Sequence, residues 1–149
     1  MKNNGHDAYL ESRVLSADPV ELVQMLYQAC MRAVRSARHH LAEGEIGERS
    51  RSINQACEIL MELNGALDHE RGGDLSSRLA QLYDYMQTRL LEANMQQSDA
   101  ALAEVVGLLA TLGEAWEAVV PRVETYAAAG NMWSQGTGQE VHAAQAWSF

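Results

Sequence analysis

At 149 residues the chain has the length of one domain, and a chain this size buries roughly 70% of its unfolded surface, enough for a core without disulfide or metal staples. Apolar residues make up 47% and charged residues 21%, but 11 Lys and Arg against 20 Asp and Glu leave a net charge of −9, which argues against nucleic acid and anionic membranes, both of which select clustered positive charge. No apolar run approaches the ~20 residues that span a bilayer, and Met1 to Asp7 lacks the apolar stretch of a signal peptide, so the expected location is cytoplasmic.

Residues 1–17 form a first segment, with a short helix expected around Tyr9 to Leu15. A long helix should begin at Asp18-Pro19, because Asp18 can accept from free amides and Pro19 has no amide hydrogen to leave unpaired. Leu22, Leu26, Ala29, Ala33, Ala37 and Leu41 then recur at helical spacing, with a second stripe of Val23, Tyr27, Cys30 and Val34 beside them. A face that wide suits a helix with two neighbours, ending before Gly44. A second helix is expected from about Gly47 to Leu67, with Ile53, Cys57, Leu60, Leu63 and Leu67 on one side. Gly72-Gly73 permits a tight reversal, and Asp74 is placed to cap a third helix from Leu75 to Asn94.

Ser98 should cap the fourth helix, whose Leu102, Val105, Leu109, Leu112, Trp116, Val119, Val123 and Tyr126 alternate steps of three and four. Pro121 should end or kink it near Val120. Short connections make sequential helices antiparallel. The expected fold is therefore all-α, an up-down-up-down four-helix bundle over 18–126. Residues 127–149, rich in Ala and Gly with Glu140 as the one charge, read as a mobile tail. That tail nevertheless holds Trp133, Trp147 and Phe149, so part of it could lie against the bundle or fill a groove in cis.

Catalytic chemistry finds little support. Lys2 is the only lysine, which disfavours a Schiff base or a phosphate loop with its lysine. Cys30 and Cys57 form no CxxC pair and read as small apolar residues. A di-iron bundle needs Glu-x-x-His, which is absent. His39 and His40 are adjacent and point about 100° apart on a helix, and His69 reads as part of a polar turn. The expectation is no enzyme, no metal and no cofactor.

Two surface features stay open. Arg32, Arg35 and Arg38 recur every three residues, either as a solvated face or as a docking strip for an acidic partner. Met25-Leu26-Tyr27 and Leu82-Tyr83-Asp84-Tyr85-Met86 carry more apolar bulk than one core stripe can take. They mark either a wide buried face or an exposed groove for a partner's amphipathic segment.

An ordered set of motifs then resembles a known family. Tyr9-Leu10 with Val14-Leu15, and Asp18-Pro19-Val20-Glu21-Leu22-Val23-Gln24-Met25-Leu26-Tyr27, are similar to the opening of the flagellar secretion chaperone family FliS. Leu67-Asp68, Gly72-Gly73-Asp74-Leu75 and Leu79-Ala80-Gln81-Leu82-Tyr83-Asp84-Tyr85-Met86 resemble its middle signature. Arg89-Leu90, Glu92-Ala93-Asn94 and Ala115-Trp116 continue the likeness, whereas the tail beyond Tyr126 has no counterpart in the pattern.

The resemblance implies a cytoplasmic export chaperone that binds the disordered C-terminal segment of flagellin, prevents premature filament polymerisation and assists delivery to the flagellar export gate. It implies no cofactor, and leaves room for a co-chaperone and for either a monomer or a homodimer. The client groove is expected at Tyr27, Leu82, Tyr83 and Met86, with Tyr9, Leu10, Val14 and Leu15 covering part of it before the client arrives. The competing reading is a helical adaptor for another amphipathic secretion substrate or regulator.

Overall fold

A computed structural model describes the backbone of residues 18–133 and the side chains of residues 18–119. Among the described residues there are four helices and no strand: α1 (Pro19–Ala42), α2 (Ile46–Gly65), α3 (His69–Gln96) and α4 (Asp99–Trp133). The expected short helix at Tyr9 to Leu15 lies outside the described residues, as does the tail from residue 134 onward.

Three of the four helices begin where a short polar side chain satisfies free amides; α2, with Glu45 before it, has no side-chain cap. The Glu21 amide donates to Asp18 Oδ1 at 2.8 Å, with Pro19 in the first turn. At α4 the Ala101 amide donates to Ser98 Oγ at 3.2 Å. The third helix departs from the expected start at Leu75. Asp68 accepts from the amides of Glu70 and Arg71 at 3.1 and 3.0 Å, which begins a helical turn at His69. Gly73 then breaks the turn with φ 51° and ψ −124°, a conformation open to glycine, and the Ser76 hydroxyl closes the corner by donating to the Asp68 carbonyl at 3.0 Å. The Gly72-Gly73 pair therefore kinks α3, with one extra helical turn before it and the expected long run after it.

α4 is the second departure. It continues past Pro121 and Tyr126 to Trp133, so the helix does not end at Val120. Proline removes one amide donor and crowds the preceding turn, a local cost of roughly 3 kcal/mol that need not end a long helix.

Contacts fix the antiparallel order. The Trp116 indole N–H donates to the Val20 carbonyl at 2.8 Å, while Arg38 at the other end of α1 meets Asp99 at the start of α4. Arg49, early in α2, bonds Asn94, late in α3. α2 packs on α1 and α3, and α4 on α1 and α3, which closes an up-down-up-down bundle. The core follows the predicted stripes: Val34, Ile53, Leu60, Met86, Leu90, Leu102, Val105 and Leu109 are fully buried. Full burial of a Leu or Ile side chain is worth roughly 1.5–3 kcal/mol, so this interior carries the fold.

Candidate docking site

The bundle is unevenly finished. Tyr27 on α1 and Tyr83 on α3 meet across the interior, where their hydroxyls share a hydrogen bond. Burial is the main cause that raises both phenols above the ordinary tyrosine pKa, so both stay protonated and the pair is held as two neutral groups. Trp116 stands edge-on to Tyr27 at 6.5 Å between ring centroids. These three aromatics form the floor of an apolar cleft where α1 begins, with Val23, Leu63, Ala66, Leu67 and Leu79 as walls. Its enclosed space is only about 10 Å³, room for roughly one water, so the cleft is a shallow dimple over which a partner's apolar side chain can rest.

Further apolar side chains are exposed on two helices. Among the described residues the exposed large hydrophobics are Ile46, Met61, Leu75, Tyr85, Leu91 and Met95, and every one lies on α2 or α3. Met95 is 84% exposed and Met61 62%, values rarely left to methionine without a use for its adaptable side chain. Leu91 and Met95 are one turn apart on α3. The Arg49–Asn94 bonds bring the start of α2, with Ile46, to the same end of the bundle. Met61 and Leu75 lie toward the cleft end, beside the α2–α3 turn.

The sequence-predicted groove residues divide. Tyr27 and Tyr83 line the cleft, although each is only 2% exposed. Met86 is wholly buried and Leu82 half-buried, and neither lines the cleft. The cap residues Tyr9, Leu10, Val14 and Leu15 lie outside the described residues. The cleft walls Leu67 and Leu79, and its floor residue Trp116, belong to stripes that periodicity alone assigns to the core. The antiparallel alignment at the bundle end turns them into a site. Met61 and Met95 carry no periodic signal, because their position off the stripe is what exposes them.

The arginine stripe is not three free cations. Arg38 donates to Asp99 from Nε at 2.8 Å and from Nη2 at 3.0 Å, and this pairing holds the Asp99 carboxyl below its ordinary pKa. Arg32 and Arg35 are exposed. Cys30 and Cys57 are both free; Cys30 is buried, its thiol pushed up to about 12 by desolvation, and Cys57 is half-buried. Among the described residues no three His, Cys, Asp or Glu side chains are placed to hold a metal ion, and no helix is long and apolar enough to cross a membrane.

A sequence model of the family described as flagellar protein FliS matches residues 1–123. The flagellar secretion chaperone FliS of Salmonella typhimurium is 38% identical over 114 residues, which is 76% of this chain and 84% of that protein. The flagellar secretion chaperone FliSB of Pseudomonas aeruginosa is 36% identical over 110 residues, 74% of this chain and 87% of its own. The FliS of Bacillus subtilis is 32% identical over 117 residues, 78% and 86% of the two chains. A four-helix bundle and this run of kinship make the chain a member of the FliS flagellar protein family.

Proposed function

We propose that this protein is a cytoplasmic chaperone of flagellar secretion, and that its client is the C-terminal segment of flagellin. Held on the bundle, the segment cannot polymerise early and can be passed to the flagellar export apparatus, with or without a co-chaperone. No chemical step is part of this reading. The observation that carries it is that, among the described residues, every exposed large hydrophobic lies on α2 or α3. An amphipathic segment laid along that side would bury its own apolar face and cover Ile46, Met61, Leu91 and Met95. One of its side chains would rest over the shallow cleft at Tyr27 and Tyr83, with Leu82 and Met86 packed behind. Tyr9, Leu10, Val14 and Leu15 act as a cap that the client displaces.

Because the segment folds as it binds, part of the contact energy goes into ordering it, and affinity stays moderate for the area covered. Isothermal titration with the C-terminal flagellin segment tests the reading. The unmodified chain should bind, and the triple variant Met61→Glu, Leu91→Glu, Met95→Glu should bind at least tenfold more weakly. Losing one buried apolar side chain costs roughly 1.5 kcal/mol, and about 1.4 kcal/mol is a factor of ten. All three positions are exposed, so thermal unfolding of the variant should match that of the unmodified chain. Equal affinity of the two proteins, or no binding by either, contradicts the proposal.

A further inference from the structure

We propose that Met61 and Met95 are oxidation sites through which peroxide weakens this protein's hold on its client. The inference rests on the reading that the client lies along α2 and α3, and adds a chemical control of that contact.

The bundle treats its methionines differently. Among those with described side chains, Met86 is wholly buried, and Met25 and Met31 are half-buried. Met61 and Met95 are 62% and 84% exposed, the highest values among the exposed large hydrophobics of the described residues. An aliphatic side chain at either position would be inert to peroxide, whereas a thioether is not. The two stand at opposite ends of the α2–α3 pair. Arg49, early in α2, bonds Asn94, which sets Met95 beside the start of α2, while Met61 is one turn from its end at Gly65. About 20 Å of helix separates them. A client that covers both is therefore gripped by a thioether at each end.

The step is a two-electron oxygen transfer. The thioether sulfur lone pair attacks one oxygen of hydrogen peroxide, an S–O bond forms as the O–O bond breaks, and the second oxygen leaves as water after taking up the proton of the first. Sulfur is oxidised to the sulfoxide and peroxide is reduced to water. A flexible apolar side chain becomes a polar one where the client's apolar face has to dock, so the contact loses its hydrophobic gain. Cys57 lies one turn before Met61 but competes poorly for the oxidant. Burial raises its thiol pKa above the ordinary value, which leaves little reactive thiolate. Methionine sulfoxide reductases reverse the step, which makes the change a switch.

Graded hydrogen peroxide on the full chain, followed by peptide mass spectrometry and by titration with the C-terminal flagellin segment, tests the proposal. Oxygen should add at Met61 and Met95 before Met25, Met31 and Met86. With both sulfoxides in place, affinity should fall roughly tenfold, because two apolar contacts are lost. The Tm should hold, and methionine sulfoxide reductases A and B with dithiothreitol should restore binding. The double variant Met61→Leu, Met95→Leu, whatever its starting affinity, should lose none of it to peroxide. Oxidation spread evenly over the described methionines overturns the proposal, as does a loss of affinity that persists in the double variant. Undiminished affinity with both sulfoxides present, or a Tm that falls in step with affinity, also overturns it; in each of these cases the client reading stands. An untreated chain that binds no segment overturns the client reading and this proposal together.

Discussion

Gln97 closes α3 in the left-handed conformation, with φ 53° and ψ 45°, while its amide donates to the Ala93 carbonyl. A side chain pays there for strain that glycine avoids, so Gln97→Gly should raise stability by a few tenths to about 1 kcal/mol, read from the midpoint of urea unfolding. Tyr83 presents the opposite case, because its hydroxyl is the buried partner of the Tyr27 hydroxyl. Tyr83→Phe leaves that partner unsatisfied in the core and should cost roughly 1–3 kcal/mol, visible as a lowered Tm. A second mutation, Tyr27→Phe, should restore part of the loss, since two apolar rings leave no orphan donor. At this scale the sequence was partly legible. Asp18, Pro19 and Ser98 act as the caps their chemistry suggests. Tyr27 and Tyr83, read as groove residues, gain a structural duty that spacing cannot reveal, because their hydroxyls meet only once α1 and α3 face each other.

Helix periodicity carries most of the architecture. Among the described residues, the apolar steps of α1, α2 and α4 name side chains that are buried or half-buried, because an amphipathic helix hides its apolar face against its neighbours. Boundaries read less well. Asp68 caps an extra helical turn that the sequence did not announce, and the long run of α3 resumes after the non-helical Gly73, close to the expected start. Charge pairs between elements are also invisible to local spacing, as with Arg38 and Asp99, far apart in the chain and bonded at the α1–α4 end. Hydrogen bonding from Arg38 depresses the Asp99 pKa, so the folded state releases this proton more readily than the unfolded chain does. The contribution is therefore complete above the ordinary value of 3.8 and is lost as pH falls below it. Both groups face solvent, which limits the effect to under about 1 kcal/mol. Arg38→Gln should thus lower stability slightly near pH 7 and make no difference near pH 2, as measured by urea unfolding at the two pH values.

At the scale of the whole molecule, the exposed large hydrophobics among the described residues fall on one helix pair. α1 turns Arg32 and Arg35 outward, whereas α2 and α3 hold the exposed Ile46, Met61, Leu75, Tyr85, Leu91 and Met95. An apolar side of this kind on an otherwise acidic chain is costly in water and marks a surface meant to be covered. Sequence reading anticipated spare apolar surface but placed it at Leu82 and Met86, which are half-buried and buried, because the choice of exposed residues depends on how four helices rotate against one another. The most direct test is a hydrogen-exchange footprint of the C-terminal flagellin segment on the full chain. The account predicts slowed exchange along α2 and α3 and around the Trp116 cleft, with α1 around Arg32 and Arg35 unchanged. Slowed exchange confined to the arginine face of α1, with α2 and α3 unaffected, would contradict it.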